Sequence, residues 1–194
     1  MKKIAAMFLA VLLTAMCAFA GAEAATDAVP EINWSDYEAK VQEAGWEGQF
    51  VAFDEVAVQM YVPSVLAAVE LTDEDRASGY IAYFQTAENT GRVGVQYVDA
   101  NGLTSEEYKA LLETTEGITE VGSGIINGLE VITYSMPESD AAVVAMTTEA
   151  GYVLEIAFAP VSDEGFAAVA QIMIASIQAQ EIAEDAADGE QAVA

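Results

Sequence analysis

The chain has 194 residues, with 32 Asp and Glu against 6 Lys and Arg, a formal net charge of −26 at pH 7 and no histidine. A surface this acidic repels the phosphates of nucleic acids and of anionic membranes, so we expect no nucleic-acid partner. The lack of histidine excludes Ser-His-Asp and Cys-His catalysis and imidazole metal ligands. Carboxylate pairs, tyrosine or lysine bases and hard cations held by oxygen remain as possible chemistry.

The N-terminal segment predicts export from the cell. Lys2 and Lys3 precede an uncharged apolar run, which leads into two sites with small residues at their first and third positions. This pattern predicts a cleaved secretory signal over residues 1–24, with no membrane insertion after cleavage. Cys17 follows a methionine instead of the small residue typical of lipidation, so a lipid anchor on Cys17 is the less favoured alternative. We therefore expect a secreted, extracellular protein.

The next segment, residues 25–46, is predicted to contain a tether and one short helix. Ser35 and Glu38 have the spacing of a capping box, with Ser35 as the N-cap residue. Gly45 supplies the stop, because glycine readily adopts the left-handed backbone that ends many helices. Residues 25–33 lack such a pattern and are predicted to be the tether.

Residues 47–178 are predicted to form a single α+β domain rich in strands. Alternating apolar and polar side chains, interrupted by turn residues, indicate consecutive antiparallel strands. Asn127-Gly128 is the pair best suited to a two-residue type I′ turn. The predicted strands cover residues 48–54, 56–62, 80–86, 92–99, 118–125, 129–136, 141–148 and 152–159.

Two further helices are predicted within this domain. Thr104 and Glu107 form a capping box that opens the first of them. Its predicted buried side chains are Tyr108, Leu111 and Leu112. Ser162 is predicted to cap the second. The apolar residues at helical spacing that predict its buried face are Phe166, Val169, Ala170, Met173 and Ile177.

The last predicted strand is largely apolar on both of its faces, with Glu155 as the one acidic residue. Leu154 and Ile156 lie on one face, and Val153 and Ala157 lie on the other. Such a strand needs cover on both sides. The predicted fold is therefore a largely antiparallel sheet covered by helices on both faces, an α/β/α sandwich. Residues 179–194 carry five acids and no base, and are predicted to be a disordered acidic tail.

The layout resembles the PsbP-like family, whose fold is shared with the Mog-type Ran-binding proteins. The resemblance covers roughly residues 47–178. It implies an antiparallel sheet between helices, in a domain whose relatives mostly bind other proteins, and it implies no functional residue for this chain. The segments that carry it are Phe50-Val51-Ala52-Phe53, Val58-Gln59-Met60-Tyr61-Val62-Pro63, Ile126-Asn127-Gly128-Leu129-Glu130, Gly151-Tyr152-Val153-Leu154 and Ile174-Ala175-Ser176-Ile177.

One acidic cluster stands apart from the predicted helix starts. Asp73, Glu74 and Asp75 lie in a predicted loop, with Arg76 beside them as a counter-charge. A solvated loop explains these residues, and the alternative is a weak calcium site with oxygen ligands. Calcium needs roughly six to eight oxygens, more than this loop supplies. No metal site or cofactor is therefore expected, with these three residues as the weak candidates.

The sequence favours a non-catalytic binding or accessory module with an unknown partner, for which a protein at the cell surface is the candidate. No catalytic residue is assigned. A small extracellular hydrolase that uses a carboxylate pair is the alternative, since composition leaves that chemistry open. Trp34 and Trp46 flank the first helix and suit either sugar stacking or packing of that helix against the core.

Overall fold

The computed structural model describes residues 29–180. The predicted signal sequence 1–24, with Cys17 inside it, and most of the predicted acidic tail lie outside the described residues. Within residues 29–180 the chain forms eleven strands, four α-helices and one 3₁₀ helix, Pro137–Ser139. The predicted α+β class is confirmed.

All eight predicted strands and three predicted helices are present in the predicted order, together with three short strands and one short α-helix that the sequence analysis did not predict. The strands are β1 (Glu31–Ile32), β2 (Gly48–Phe53), β3 (Val58–Pro63), β4 (Leu66–Ala68), β5 (Tyr80–Thr86), β6 (Arg92–Asp99), β7 (Thr119–Ile126), β8 (Leu129–Met136), β9 (Ala141–Thr147), β10 (Tyr152–Ala159) and β11 (Gln178–Ala179). The helices are α1 (Ser35–Glu43), α2 (Asp73–Ala77), α3 (Ser105–Thr114) and α4 (Glu164–Ala175).

The strands form one large sheet and one small sheet. The large sheet has eight strands in the order β1-β7-β8-β9-β10-β6-β5-β4, and the small sheet has the order β11-β3-β2. All neighbouring pairs are antiparallel except β1 and β7. Thus β4 and β2 are edge strands, one in each sheet.

Local turn chemistry explains the hairpins. Asn127 and Gly128 have φ of +47° and +80°, as a type I′ turn requires, which confirms the predicted β7–β8 connection. Asn89 in the β5–β6 turn and Gly151 in the β9–β10 turn also have positive φ. Short turns of this kind fix the register of each hairpin, and with it the face on which each side chain lies.

Successive residues of the central strands contribute to two separate core clusters. In β9, Val144 packs in the larger cluster with Met173 of α4. Its neighbour Val143 packs in a smaller cluster with Leu112 of α3. The predicted buried residues Phe166, Val169, Ala170, Met173 and Ile177 are all buried. Leu111 was expected to be buried and is 51% exposed, because it lies on the outer side of α3.

The start of the domain differs from its prediction. The expected tether is wrong at Glu31–Ile32, which form β1 and pair in parallel with β7. The capping box at Ser35 is also wrong, since Ser35 is the first helical residue and Trp34 precedes it as N-cap without a side-chain cap. The start of α1 is instead positioned by a residue distant in sequence, Asn127, described below.

Several other boundaries move by one or two residues. Asp163, not Ser162, caps α4, and its side chain accepts a hydrogen bond from Phe166 N. Ser162 donates instead to the side chain of Asp140. Ala179, placed in the tail by the sequence, pairs with Val58 in the small sheet. The strand expected from residue 56 begins at Val58.

Candidate functional site

The acidic cluster 73–75 is part of a helix, so the prediction of a loop is wrong. Asp73, Glu74 and Asp75 occupy the first turn of α2, where carboxylates favour the helix dipole. Thr72 and Asp75 form a reciprocal capping box, with Thr72 Oγ1 donating to Asp75 Oδ2 at 2.7 Å. Hydrogen bonds from the Thr72 side chain and backbone lower the pKa of Asp75. The Thr-x-x-Asp spacing was the sequence signal for this helix.

Asp73, Glu74 and Asp75, the candidate calcium ligands, therefore stabilise the start of α2. Within residues 29–180, no group of three or more His, Cys, Asp or Glu side chains is placed to hold a metal ion. No helix of that described part is long and apolar enough to cross a membrane.

A cleft lies where the two sheets expose their edge strands. Its volume is about 600 Å³, within the range of roughly 300–1,000 Å³ typical of ligand pockets. None of its lining side chains is ionisable. We call it the β2/β4 cleft, and its lining residues are Gly48, Gln49, Val51, Val62, Ser64, Leu66, Ala68 and Phe84.

The register shows which backbone groups of β2 point into the open edge. Ser64 N donates to Glu47 O at 2.8 Å, so residues 47, 49, 51 and 53 exchange hydrogen bonds with β3. Tyr61 N points the other way and donates to Ser176 Oγ. It follows that the N–H and C=O groups of Gly48, Phe50 and Ala52 point away from β3. Residues 29–180 provide β2 with no second partner strand.

Strand β4 has the same property on the other side of the cleft. Val69 N donates to Tyr83 O at 2.8 Å, which places Val69 and Ala67 in hydrogen-bonded pairs with β5. The backbone groups of Leu66 and Ala68 therefore point away from β5. Two edges with unpaired polar backbone thus border one cleft.

Exposed apolar side chains lie on or next to the two edge strands. Phe50 is 38% exposed, Val65 54% and Val69 41%, and these are three of the six large hydrophobic residues exposed within residues 29–180. Trp34 packs against Phe50 and Tyr61 with ring centroids 5.9 and 5.7 Å apart. Trp34 therefore packs the start of α1 against the small sheet. Of the two roles that the sequence suggested for this residue, sugar stacking and packing, the structure shows packing.

A second polar site lies on the large sheet, and sequence reasoning missed it. Glu155 of β10 accepts two hydrogen bonds on Oε1, from Tyr108 of α3 at 2.7 Å and from Tyr134 of β8. The sequence signal was one acidic residue on the otherwise apolar face of β10. The three residues are brought together from separate elements, so no local spacing marks them.

The two tyrosines are neutral donors over a wide pH range. Burial, followed by the neighbouring Glu155 carboxyl, raises the pKa of Tyr134 far above its ordinary value. Burial and the hydrogen bond to Glu155 also raise the pKa of Tyr108. Both hydroxyls therefore keep their protons, and the Glu155 carboxyl remains the acceptor.

A third polar arrangement surrounds the side chain of Asn127 in the β7–β8 turn. Asn127 Oδ1 accepts from Trp34 N, while its Nδ2 donates to Ala175 O at 2.9 Å and to Ile177 O at 2.8 Å. We call this the Asn127 clasp. One side chain thereby joins the start of α1, the β7–β8 turn and the end of α4. These bonds satisfy backbone groups at helix ends, so the clasp is structural.

Comparison with protein-family models gives no match, and comparison with curated protein sequences gives none either. The candidate sites are therefore assessed from their own geometry.

Proposed function

We propose that this protein is a secreted, non-catalytic binding module that takes an extended segment of a partner protein into the β2/β4 cleft. The observation that carries the proposal is the pair of edge strands bordering one cleft, each with backbone groups directed away from its partner strand. A cleft of ligand size without ionisable side chains suits binding better than acid–base chemistry.

Strand addition is the binding mode that fits these edges. An extended peptide adds to an exposed sheet edge through main-chain hydrogen bonds, while pockets receive every second side chain. Here Gly48, Phe50 and Ala52 offer the main-chain groups of β2. Val51, Val62 and Leu66 supply apolar walls for the inserted side chains.

The chemistry of the cleft also restricts the partner. Alternate apolar side chains of the segment would face the walls of the cleft. The remaining side chains would face a protein of net charge −26, so basic residues at those positions are favoured by long-range attraction. The proposed partner segment is therefore extended, alternately apolar and basic.

The proposed fold class is a PsbP-like sandwich with helices on both faces of the large sheet. Support comes from β9, where Val144 packs in one cluster with Met173 of α4 and Val143 packs in the other with Leu112 of α3.

Secretion is supported by Lys2, Lys3 and the apolar run that follows them. The intact mass of the exported protein tests this, with cleavage near residue 24 and no lipid on Cys17 expected.

Peptide selection with two proline variants tests the binding mode. A phage-displayed random decapeptide library is selected on the purified protein, and the affinity of an enriched synthetic peptide is measured by calorimetry. Ala52→Pro removes an N–H that points into the open edge of β2, without touching the ladder to β3. Ala179→Pro is the matched control. Ala179 lies in β11 at the other edge of the same sheet, where its N–H also points outward.

We expect Ala52→Pro to weaken the peptide by about tenfold, the effect of losing about one hydrogen bond of 1.4 kcal/mol. Ala179→Pro should leave the affinity unchanged. Equal loss in the two variants, or a library that enriches no peptide sensitive to Ala52→Pro, would refute binding at this edge.

A further inference from the structure

One face of the large sheet carries an arrangement that the proposed peptide cleft does not use. The register aligns Glu155 of β10 with Gln96 of β6, and Gln96 with Tyr80 of β5. The next row contains Ala157, Gly94 and Tyr83. All of these side chains lie on one face, since they occupy facing positions in adjacent strands. We call this surface the Glu155 face.

The Glu155 face remains partly open to solvent. Helix α3 packs against β7, β8 and β9, to one side of these strands. Glu155, Gln96, Tyr80, Tyr83 and Ala157 are all half-buried, not fully buried. The Tyr80 ring lies over Gly94, where a Cβ would come within 2.9 Å of Tyr80 Cε1.

The Glu155 carboxyl has a free acceptor at this surface. Both tyrosine hydroxyls donate to Oε1. Oε2 has no hydrogen-bond partner within residues 29–180 and is not among the fully buried unpartnered atoms there, so it is not completely enclosed. Tyr108 and Tyr134 hold the carboxyl in one orientation, and a ligand on this face would meet an already oriented oxygen.

We propose that the Glu155 face is a carbohydrate-binding site. Its free carboxyl oxygen accepts hydrogen bonds from sugar hydroxyls, and the rings of Tyr80 and Tyr83 contact the apolar side of a sugar ring. This site is separate from the β2/β4 cleft and independent of its function.

The charges on this face favour a neutral ligand. Arg92 lies on the same face, aligned with Ala159 and Gln85. One carboxyl and one guanidinium offset each other, and Gln85 and Gln96 add both donors and acceptors. Hydroxyl groups, which also donate and accept, match this set. An anionic ligand would be repelled by the net charge of −26.

Three neutral oligosaccharides serve as probes: cellohexaose, maltohexaose and hexa-N-acetylchitohexaose, each titrated at millimolar concentration and followed by calorimetry. Glu155→Gln is the main variant, because the glutamine Oε1 still accepts from both tyrosines while Nε2 replaces the free acceptor with a donor. Tyr83→Leu removes one ring. Tyr152→Leu is the matched control, since Tyr152 is 38% exposed and stacks on Tyr97 on the opposite face.

We expect at least one oligosaccharide to bind, with affinity reduced about tenfold or more in Glu155→Gln and Tyr83→Leu and unchanged in Tyr152→Leu. The Tyr83→Leu result stands even if Glu155→Gln fails to fold. The proposal is overturned if none of the three sugars binds, or if Glu155→Gln and Tyr83→Leu bind like the wild type. It is also overturned if only a lysine hexapeptide binds and Glu155→Gln abolishes that binding, since the site would then recognise ammonium groups.

Discussion

Backbone polar groups are hydrogen-bonded at the Asn127 clasp and, within residues 29–180, are left unpaired at the β2/β4 cleft. At the clasp, one side chain pairs with Trp34 N, Ala175 O and Ile177 O. At the cleft, the edge strands β2 and β4 direct their backbone groups away from their partner strands, beside exposed apolar side chains. A buried backbone N–H or C=O group without a partner lowers the stability of the fold. The same groups at an open strand edge can instead pair with another chain.

This difference separates residues that hold the fold from residues that are free to bind. Substitutions at the clasp should alter stability strongly. Substitutions at the open edge should alter binding and leave stability nearly unchanged. The following predictions test that separation.

The largest effect is expected for Asn127→Ala. The substitution removes three hydrogen bonds and places alanine at a φ of +47°, so we expect a loss of about 3–5 kcal/mol in the free energy of unfolding. Urea denaturation measures it. Asn89→Ala is the control, because Asn89 has a φ of +57° and its side chain makes no hydrogen bond within residues 29–180. That variant should lose only about 1–2 kcal/mol. Equal losses would show that the clasp contributes nothing beyond the turn.

Tyr134→Phe should cost about 1.5–3 kcal/mol at neutral pH, the value of a hydrogen bond to a charged group. The folded protein holds the Tyr134 proton more tightly than the unfolded chain, because burial raises its pKa above the ordinary 10.0. This stabilisation is complete below pH 10 and decreases as the pH rises beyond it. The variant should therefore lose stability less steeply above pH 10, as measured by denaturation at a series of pH values. A slope equal to that of the wild type would contradict the raised pKa of Tyr134.

The two capping boxes should differ in their effect on global stability. Thr104→Ala should cost about 1 kcal/mol, because α3 buries Leu112 in the core. Thr72→Ala should cost less, since none of the five residues of α2 is buried.

Hydrogen bonds from Thr104 lower the pKa of Glu107 below its ordinary 4.5. The stabilising effect of the ionised Glu107 carboxylate is therefore complete above pH 4.5 and is lost as the pH falls through the lower pKa of the folded state. Acid titration of the wild type and Thr104→Ala measures this, and identical acid unfolding would contradict it.

The smallest effect on stability is expected for Ala52→Pro, within about 0.5 kcal/mol, because the lost N–H points into the open edge. Val51→Pro is the contrasting variant, since Val51 pairs with Met60 in the ladder to β3. It should be strongly destabilised in the same urea denaturation. Similar stabilities for the two prolines would mean that the assigned backbone directions of β2 are wrong.

The sequence predicted the elements whose signals are local. Tyr80–Thr86, Arg92–Asp99 and Tyr152–Ala159 were predicted with the bounds that the structure has, and Thr104 and Glu107 form the expected capping box. Short turns and caps depend on neighbouring residues, so their sequence patterns carry the information. The missed helix α2 (Asp73–Ala77) also had such a pattern, in Thr72 and Asp75.

The remaining features depend on contacts between distant residues. Ser35 does not cap α1. The amide of Trp34, at the start of the helix, instead donates to Asn127 Oδ1, and Asn127 lies 93 positions away along the chain. β1 forms only because β7 pairs with it. The Glu155 network and the β2/β4 cleft likewise join residues from separate elements, and no local spacing predicts such a junction.

Amide hydrogen exchange with and without a library-selected peptide tests the central claim most directly. If the peptide adds a strand at the β2/β4 cleft, the amides of Phe50 and Ala52 should exchange more slowly in its presence. The amide of Trp34, already held by the Asn127 clasp, should not change. Slower exchange elsewhere on the protein, with Phe50 and Ala52 unaffected, would contradict the account.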